Sequence, residues 1–477
     1  MLFHSLEFLA LLVAVASLSA LLRGDARRLV LLGASAVFYA SFDPRFLALL
    51  ALVVVVDHGV ARRIAATQDR ALRRRLLWIS VAVDLGALAT FKYYGFFAGA
   101  LAQLFEVFGA TPPWHVTGLL LPVGISFYVF QSLGYVFDVH RGRAEPARLL
   151  DYALFLAFFP KLAAGPIERA SGLLAQIRAD PPPTVERSLA GGWLILVGLF
   201  KKVAVADPLG LIVDPHLASG LTGRGGDAVL VLVLAGTRIY ADFSGYTDVA
   251  RGAGRLLGYE LAPNFRQPLF ARNVQEFWGR WNMTLSLWIR DYLYYPMALN
   301  PRLGPRLGTG GLAVVTMVVM GIWHGASWNF VLWGLYHGFL LALYGRLRPR
   351  LHRFRNALAA RGRTAWDLAG ILATQSVVFG GGIFFATADL AAAGNVLAAI
   401  AVPPWGAELR AQEVGAALAH VLAILLLDLL EARSASPEPW LRWPWGARRG
   451  LQAVLAAGIA AALLLGRPQL PYQYFQF

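Results

Sequence analysis

Gly321-Ile322-Trp323-His324-Gly325-Ala326-Ser327-Trp328-Asn329-Phe330, continued by Val331-Leu332-Trp333-Gly334-Leu335-Tyr336-His337-Gly338, is the stretch on which the reading of this chain turns. Apolar runs flank it, residues 311–323 before and 330–344 after, so the His324 imidazole is expected at or near membrane depth. An ionisable group there is costly unless it faces a polar cavity, which makes a functional role the default reading. The bland alternative is a neutral core histidine bonded to a backbone carbonyl. Gly325, Ala326 and Ser327 argue against it, because small residues beside the ring leave room for substrate or water.

The rest of the chain supports a membrane setting. Of 477 residues, 57% are hydrophobic and only 15% charged, and the mean hydropathy is +0.56, well above that of ordinary soluble domains. Apolar stretches of about 20 residues, long enough to cross about 30 Å of hydrocarbon, recur from end to end. The expected fold class is therefore all-α: a polytopic bundle of about 11–13 membrane helices, some short or re-entrant, in a single integral-membrane domain over residues 1–477. Residues 2–22 carry no positive charge ahead of their apolar run and are followed by Arg23, Arg27 and Arg28, which reads as a retained anchor rather than a cleaved signal. The chain has no cysteine, which removes disulfides, thiolate metal sites and an acyl-cysteine intermediate. Neither a metal site nor a bound cofactor is expected. The formal net charge is +15, nearly all of it arginine, and in a membrane protein this first sets orientation. Nucleic-acid binding would need that charge on a soluble face, and no soluble domain is apparent.

Arg62, Arg63, Arg70, Arg73, Arg74 and Arg75 lie between two apolar segments and assign that loop to the cytoplasm, whereas residues 102–117 have no Lys or Arg and are expected outside. Residues 119–138 return inward to His140-Arg141-Gly142-Arg143. The apolar run 152–159 is broken by Pro160-Lys161 and by Ala164-Gly165-Pro166-Ile167-Glu168-Arg169. It reads as a broken or re-entrant helix, tolerated where it lines a cavity. Lys201-Lys202, closing the apolar residues 194–200, reads as a basic anchoring edge. From 238 to 301 the chain mixes Asp242, Asp248, Arg251, Arg255, Arg266, Arg272, Glu276, Arg280, Arg290 and Asp291 with many aromatics. The expectation is short amphipathic and re-entrant helices lining a polar funnel on the cytoplasmic side, with an interfacial basic helix as the plainer reading. The densest basic run, residues 346–355, ends the 330–344 helix in the cytoplasm, and three further spans are expected near 366–387, 411–430 and 448–466. No internal repeat and no linker is visible.

A set of motifs, in order, carries a resemblance: Leu121-Pro122-Val123-Gly124-Ile125-Ser126-Phe127; Phe158-Phe159-Pro160 with Ala164-Gly165-Pro166-Ile167; Gly198-Leu199-Phe200-Lys201-Lys202; Asp242-Phe243-Ser244-Gly245-Tyr246-Thr247-Asp248; Asn264-Phe265 with Pro268; Phe277-Trp278 with Arg280-Trp281; Leu285-Ser286 with Trp288; Arg290-Asp291-Tyr292-Leu293-Tyr294; Trp323-His324-Gly325; and Tyr474-Phe475-Gln476-Phe477. In these the chain resembles the membrane-bound O-acyltransferases, specifically the bacterial branch related to alginate O-acetylation. The resemblance implies His324 as general base and Asn282 at the position where bacterial members usually carry histidine. An amide can orient a substrate or stabilise an oxyanion but cannot titrate. Arg280, Arg290, Trp281, Ser286, Asp242, Ser244 and His337 are the expected substrate-binding residues. If residues 330–344 form one helix, His337 lies 13 residues from His324, up to roughly 20 Å along the axis at about 1.5 Å per residue, so its expected role is tunnel-lining or structural.

The implied reaction moves an acyl group, most simply acetyl, from a cytoplasmic thioester to a hydroxyl on the outer side, as in exopolysaccharide or cell-wall glycan modification. The donor is expected to be acetyl-coenzyme A or an acyl-phosphopantetheine carrier protein, and the partners membrane lipids and a periplasmic acyl-transfer protein, all at a bacterial inner membrane. No phosphate-binding Gly-x-x-x-x-Gly-Lys-Ser/Thr motif occurs, which agrees. Two rivals use the same residues: a transporter or flippase for an anionic or lipid-linked sugar, and a catalytically silent scaffold. A carrier needs positive charge, whereas acyl transfer needs a proton acceptor at His324.

Overall fold

Helices supply all the regular structure among the described residues of the computed structural model, which are 1–111, 120–218, 225–401, 411–434, 438–465 and 470–473. Eight helical stretches are long and apolar enough to cross a membrane: Arg70–Val107, Val185–Ala218, Gly225–Leu256, Leu303–His324, Trp328–Ala357, Ala360–Ala386, Ala411–Ala432 and Trp445–Leu464. The chain is a multi-pass all-α membrane protein. Other helices are shorter or more polar: Leu6–Leu21, Gly24–Ala40 and Leu390–Ala401 have fewer residues, and Phe46–Ala66 carries Asp57, Arg62 and Arg63. The terminal motif 474–477 and residues 112–117 of the expected outer connection lie outside the described residues; residues 102–107, expected in that connection, are instead helical.

Two compact units divide the chain, one of residues 1–195 and 249–262, the other of 196–248 and 263–477. In the first, helices Phe46–Ala66, Arg70–Leu88 and Ile125–His140 pack on one another. Arg27, fully buried, donates to Asp180 (2.7 Å), Pro181 O (2.8 Å) and Leu257 O (2.6 Å), so this arginine is a structural tie rather than an interfacial charge. The broken segment expected near 152–159 is present: helix Leu149–Ala157 stops at Phe158, helix Phe159–Leu162 follows, and the residues between are buried in protein. Nine residues rise only about 14 Å, too little to cross, and irregular backbone at such depth needs protein around it.

Two expectations for the residues after 195 are corrected. Residues from Arg238 to Leu256 are not short amphipathic helices but part of one continuous 32-residue helix, Gly225–Leu256. Its charges are tolerated because they are paired: Asp242 with Lys202 (2.7 Å), Asp248 with Lys201 (2.7 Å), Arg238 with Asp214. Lys201 and Lys202 are accordingly no anchoring edge. They are 4% and 1% exposed and sit in mid-helix, in a wide-turn segment Phe200–Ala206. Past 263 the short helices do occur: Val274–Trp278, Met283–Ile289 and Tyr295–Ala298.

Candidate active site

His324 is the last residue of helix Leu303–His324, and Gly325 breaks the helix in an extended conformation before Trp328–Ala357 begins. The two helices form a hairpin whose contact is made by small residues. A Cβ on Gly321 would strike the Phe330 carbonyl oxygen, one on Gly334 the Met317 carbonyl oxygen, and one on Gly338 would come within 2.6 Å of Val314 Cα. Backbones this close are the usual product of small residues at a membrane helix interface. Gly325 has a different use from the one expected: the space of its missing side chain is taken by the Phe330 ring, not left for substrate. An aromatic ring packs there because the reversal brings Phe330 back over the helix end.

The hairpin also changes the position of His337. The Trp333 ring lies 5.1 Å from the His324 ring and 4.8 Å from that of His337, so the two imidazoles are at most about 10 Å apart. Both line one small cavity of about 60 Å³, walled by Trp278, Trp281, Trp333, Phe379 and Phe385. His324 is 3% exposed and meets Trp323, Trp333 and Phe385 edge-on at 5.0–5.1 Å; His337 meets Trp278 edge-on at 5.3 Å. Among the described residues, His337 Nδ1, Trp278 Nε1 and Gln375 Oε1, all on lining residues, have no hydrogen-bond partner. An apolar pocket with a few unpartnered polar atoms can desolvate and orient a small reacting group.

Of the other expected residues, Trp281 lines the cavity, stacked on Phe277 at 5.5 Å. Asn282 follows it in sequence but is not on that lining. It caps helix Met283–Ile289 in the left-handed conformation (φ 41°, ψ 53°), a region that asparagine and histidine enter more readily than most residues. Its side chain is 1% exposed, and neither amide atom has a partner among the described residues. Ser286 Oγ donates to Trp281 O (3.4 Å), and Ser244 Oγ is buried with no partner among the described residues. Asp242 accepts from Lys202 Nζ and from the Gln473 backbone N–H (2.8 Å). Arg280 pairs with Glu276 (2.5 Å), and the half-exposed Arg290 with Asp291 (2.7 Å). Trp278, Trp333, Gln375 and Phe385 were not singled out in the sequence, although two of them stand inside quoted motifs.

Residues 142–366 match the model of the membrane-bound O-acyltransferase family. This chain belongs to that family. The probable alginate O-acetylase of Azotobacter vinelandii is 41% identical over 324 residues, 68% of this chain and 64% of that protein. The probable alginate O-acetylase of Pseudomonas aeruginosa is 39% identical over 320 residues (66% and 60%), and the peptidoglycan O-acetyltransferase of Helicobacter pylori 32% over 344 residues (66% and 64%). The chain thus spans just under two thirds of the length of these O-acyltransferase relatives.

Proposed function

We propose that this protein transfers an acetyl group from a phosphopantetheine thioester, coenzyme A or a carrier protein, in the cytoplasm to a hydroxyl of an envelope polysaccharide, working with a periplasmic partner at the inner membrane. The observation that carries the reading is the His324 imidazole enclosed in an aromatic chamber at the end of a membrane helix. Relatives named for alginate and peptidoglycan O-acetylation support a glycan acceptor. In the step, the acceptor oxygen attacks the thioester carbonyl carbon while His324 takes its proton. The C–O bond forms, the C–S bond breaks, and the proton passes to the departing thiolate, leaving an ester and a free thiol. An imidazole is suited to that task because its proton exchanges near neutral pH. Asn282, outside the chamber lining but next in sequence to Trp281, has a buried amide with no partner among the described residues, and in this reading it orients the acceptor rather than the group held in the chamber. The chamber is small and walled by aromatic rings, which suits a short acyl group such as acetyl.

The test uses protein reconstituted in vesicles, labelled acetyl donor and a soluble hydroxyl acceptor. His324→Gln keeps the shape and removes the proton acceptor, and transfer should fall by roughly 10²- to 10⁴-fold. Near-normal transfer by folded His324→Gln would withdraw the base assignment.

A further inference from the structure

Helix Ala411–Ala432 is apolar for most of its length, yet near its end it buries a carboxyl, Asp428, which is 0% exposed. An acid inside a membrane helix is costly and calls for a use. Tyr240, buried on helix Gly225–Leu256, donates its hydroxyl to both Asp428 oxygens (2.8 and 2.9 Å). Lys201, whose charge also acts on Asp428, is itself paired with Asp248 (2.7 Å). Three residues on, and so on the same helix face, Glu431 accepts from Gln267 Nε2 (2.8 Å).

Both partners lead to the candidate active site. The Tyr240 ring lies 6.0 Å from that of Trp281 and 5.6 Å from that of Phe265, and Phe265 meets Trp281 edge-on at 5.1 Å. Trp281 lines the same chamber as His324. Gln267 sits in the left-handed region (φ 42°), unfavourable for a residue with a Cβ, so its tie to Glu431 secures a conformation the backbone alone disfavours. The Gln267 carbonyl accepts from Arg280 Nη1 (3.3 Å), the Arg266 N–H donates to Arg280 O (3.0 Å), and the Met283 N–H donates to Asn264 O (2.9 Å). Residues 264–267 thus bracket 280–283, the stretch that carries Trp281 and Asn282.

We propose that Asp428 and Glu431 are positioning residues for the transfer step: through Tyr240 and Gln267 they fix the stretch that carries Trp281 and Asn282. Neither acid touches the reacting atoms. The inference rests on the transfer reading above, so its test includes a readout that does not depend on transfer.

Wild type, Asp428→Leu, Asp428→Asn and Glu431→Ala are compared as full-length protein reconstituted in vesicles. Measured are melting, acetyl-transfer kinetics per folded molecule, and backbone hydrogen exchange of peptides covering 279–284 and 303–324. Asp428→Leu and Glu431→Ala should raise exchange in 279–284 alone and lower kcat on the order of tenfold with the donor KM unchanged, because a small misplacement of positioned groups costs rate. Asp428→Asn, whose amide oxygen still accepts from Tyr240, should lie closer to wild type in both. Exchange raised equally in the two peptides, with kcat per folded molecule unchanged, would make the acids plain supports of the fold and overturn the proposal. Unchanged exchange in 279–284 overturns it as well, and Glu431→Ala, at a partly exposed position, decides the matter if Asp428→Leu does not fold. Wild type that transfers no acetyl would instead fail the transfer reading, whereas the exchange result would still tell whether the acids hold this stretch.

Discussion

Lys202 and Asn282 are both 1% exposed, yet their surroundings are opposite. Lys202 Nζ stands between Asp242 (2.7 Å) and Asp207 (2.8 Å) and over the Tyr472 ring at 4.4 Å. Among the described residues Asn282 has no partner for either amide atom, and the chamber lined by its neighbour Trp281 holds further unpartnered atoms on His337, Trp278 and Gln375. A buried group whose partners all come from the protein is committed to holding the fold. One buried without them keeps its hydrogen-bonding capacity for something else, at a cost to stability. Both belong to motifs that look alike in sequence, so motif membership alone does not separate structure from chemistry.

The contrast breaks most visibly at Lys202. Lys202→Met leaves two buried carboxylates uncompensated and should cost about 3–5 kcal/mol, read as lost folded yield and a lowered melting temperature. A loss below about 1 kcal/mol would remove the network from the fold's supports. A smaller effect is expected at the chamber wall. Phe379→Ala enlarges the cavity beside His324, and transfer of butyryl relative to acetyl should rise about tenfold, the usual worth of a methylene or two in a fitted pocket. An unchanged ratio would show that the acyl group lies outside this chamber. The smallest effect belongs to Arg290, whose exposed pair with Asp291 contributes under about 1 kcal/mol. Arg290→Ala should leave melting unchanged and raise the KM for the donor several-fold if the guanidinium meets donor phosphate; an unchanged KM would make it an interfacial anchor.

How much of this was legible beforehand follows from the range of each interaction. The membrane setting, the broken helix near Pro160 and the prominence of His324 are local facts of hydropathy and punctuation, and the chain states them. The proximity of His324 and His337 is not local. Measured along one helix they are far apart, but the reversal at Gly325 folds them onto the same Trp333. Lys201-Lys202 resembles any basic helix end until Asp242 and Asp248, some 40 residues on, are brought against it. Asp428 was overlooked for the same reason: in sequence it is a lone acid in an apolar run, and its partner Tyr240 lies 188 residues before it. Gln375 carries no signal in the sequence at all.

Melting and transfer measured on the same purified preparations of His324→Gln and Lys202→Met test the central claim most directly. The account predicts that His324→Gln melts with the wild type and loses transfer by 10²-fold or more, while Lys202→Met melts far lower and its folded fraction transfers at close to the wild-type rate. If His324→Gln melts like Lys202→Met, or keeps near-normal transfer while folded, the imidazole is part of the framework and its assignment to the chemistry fails.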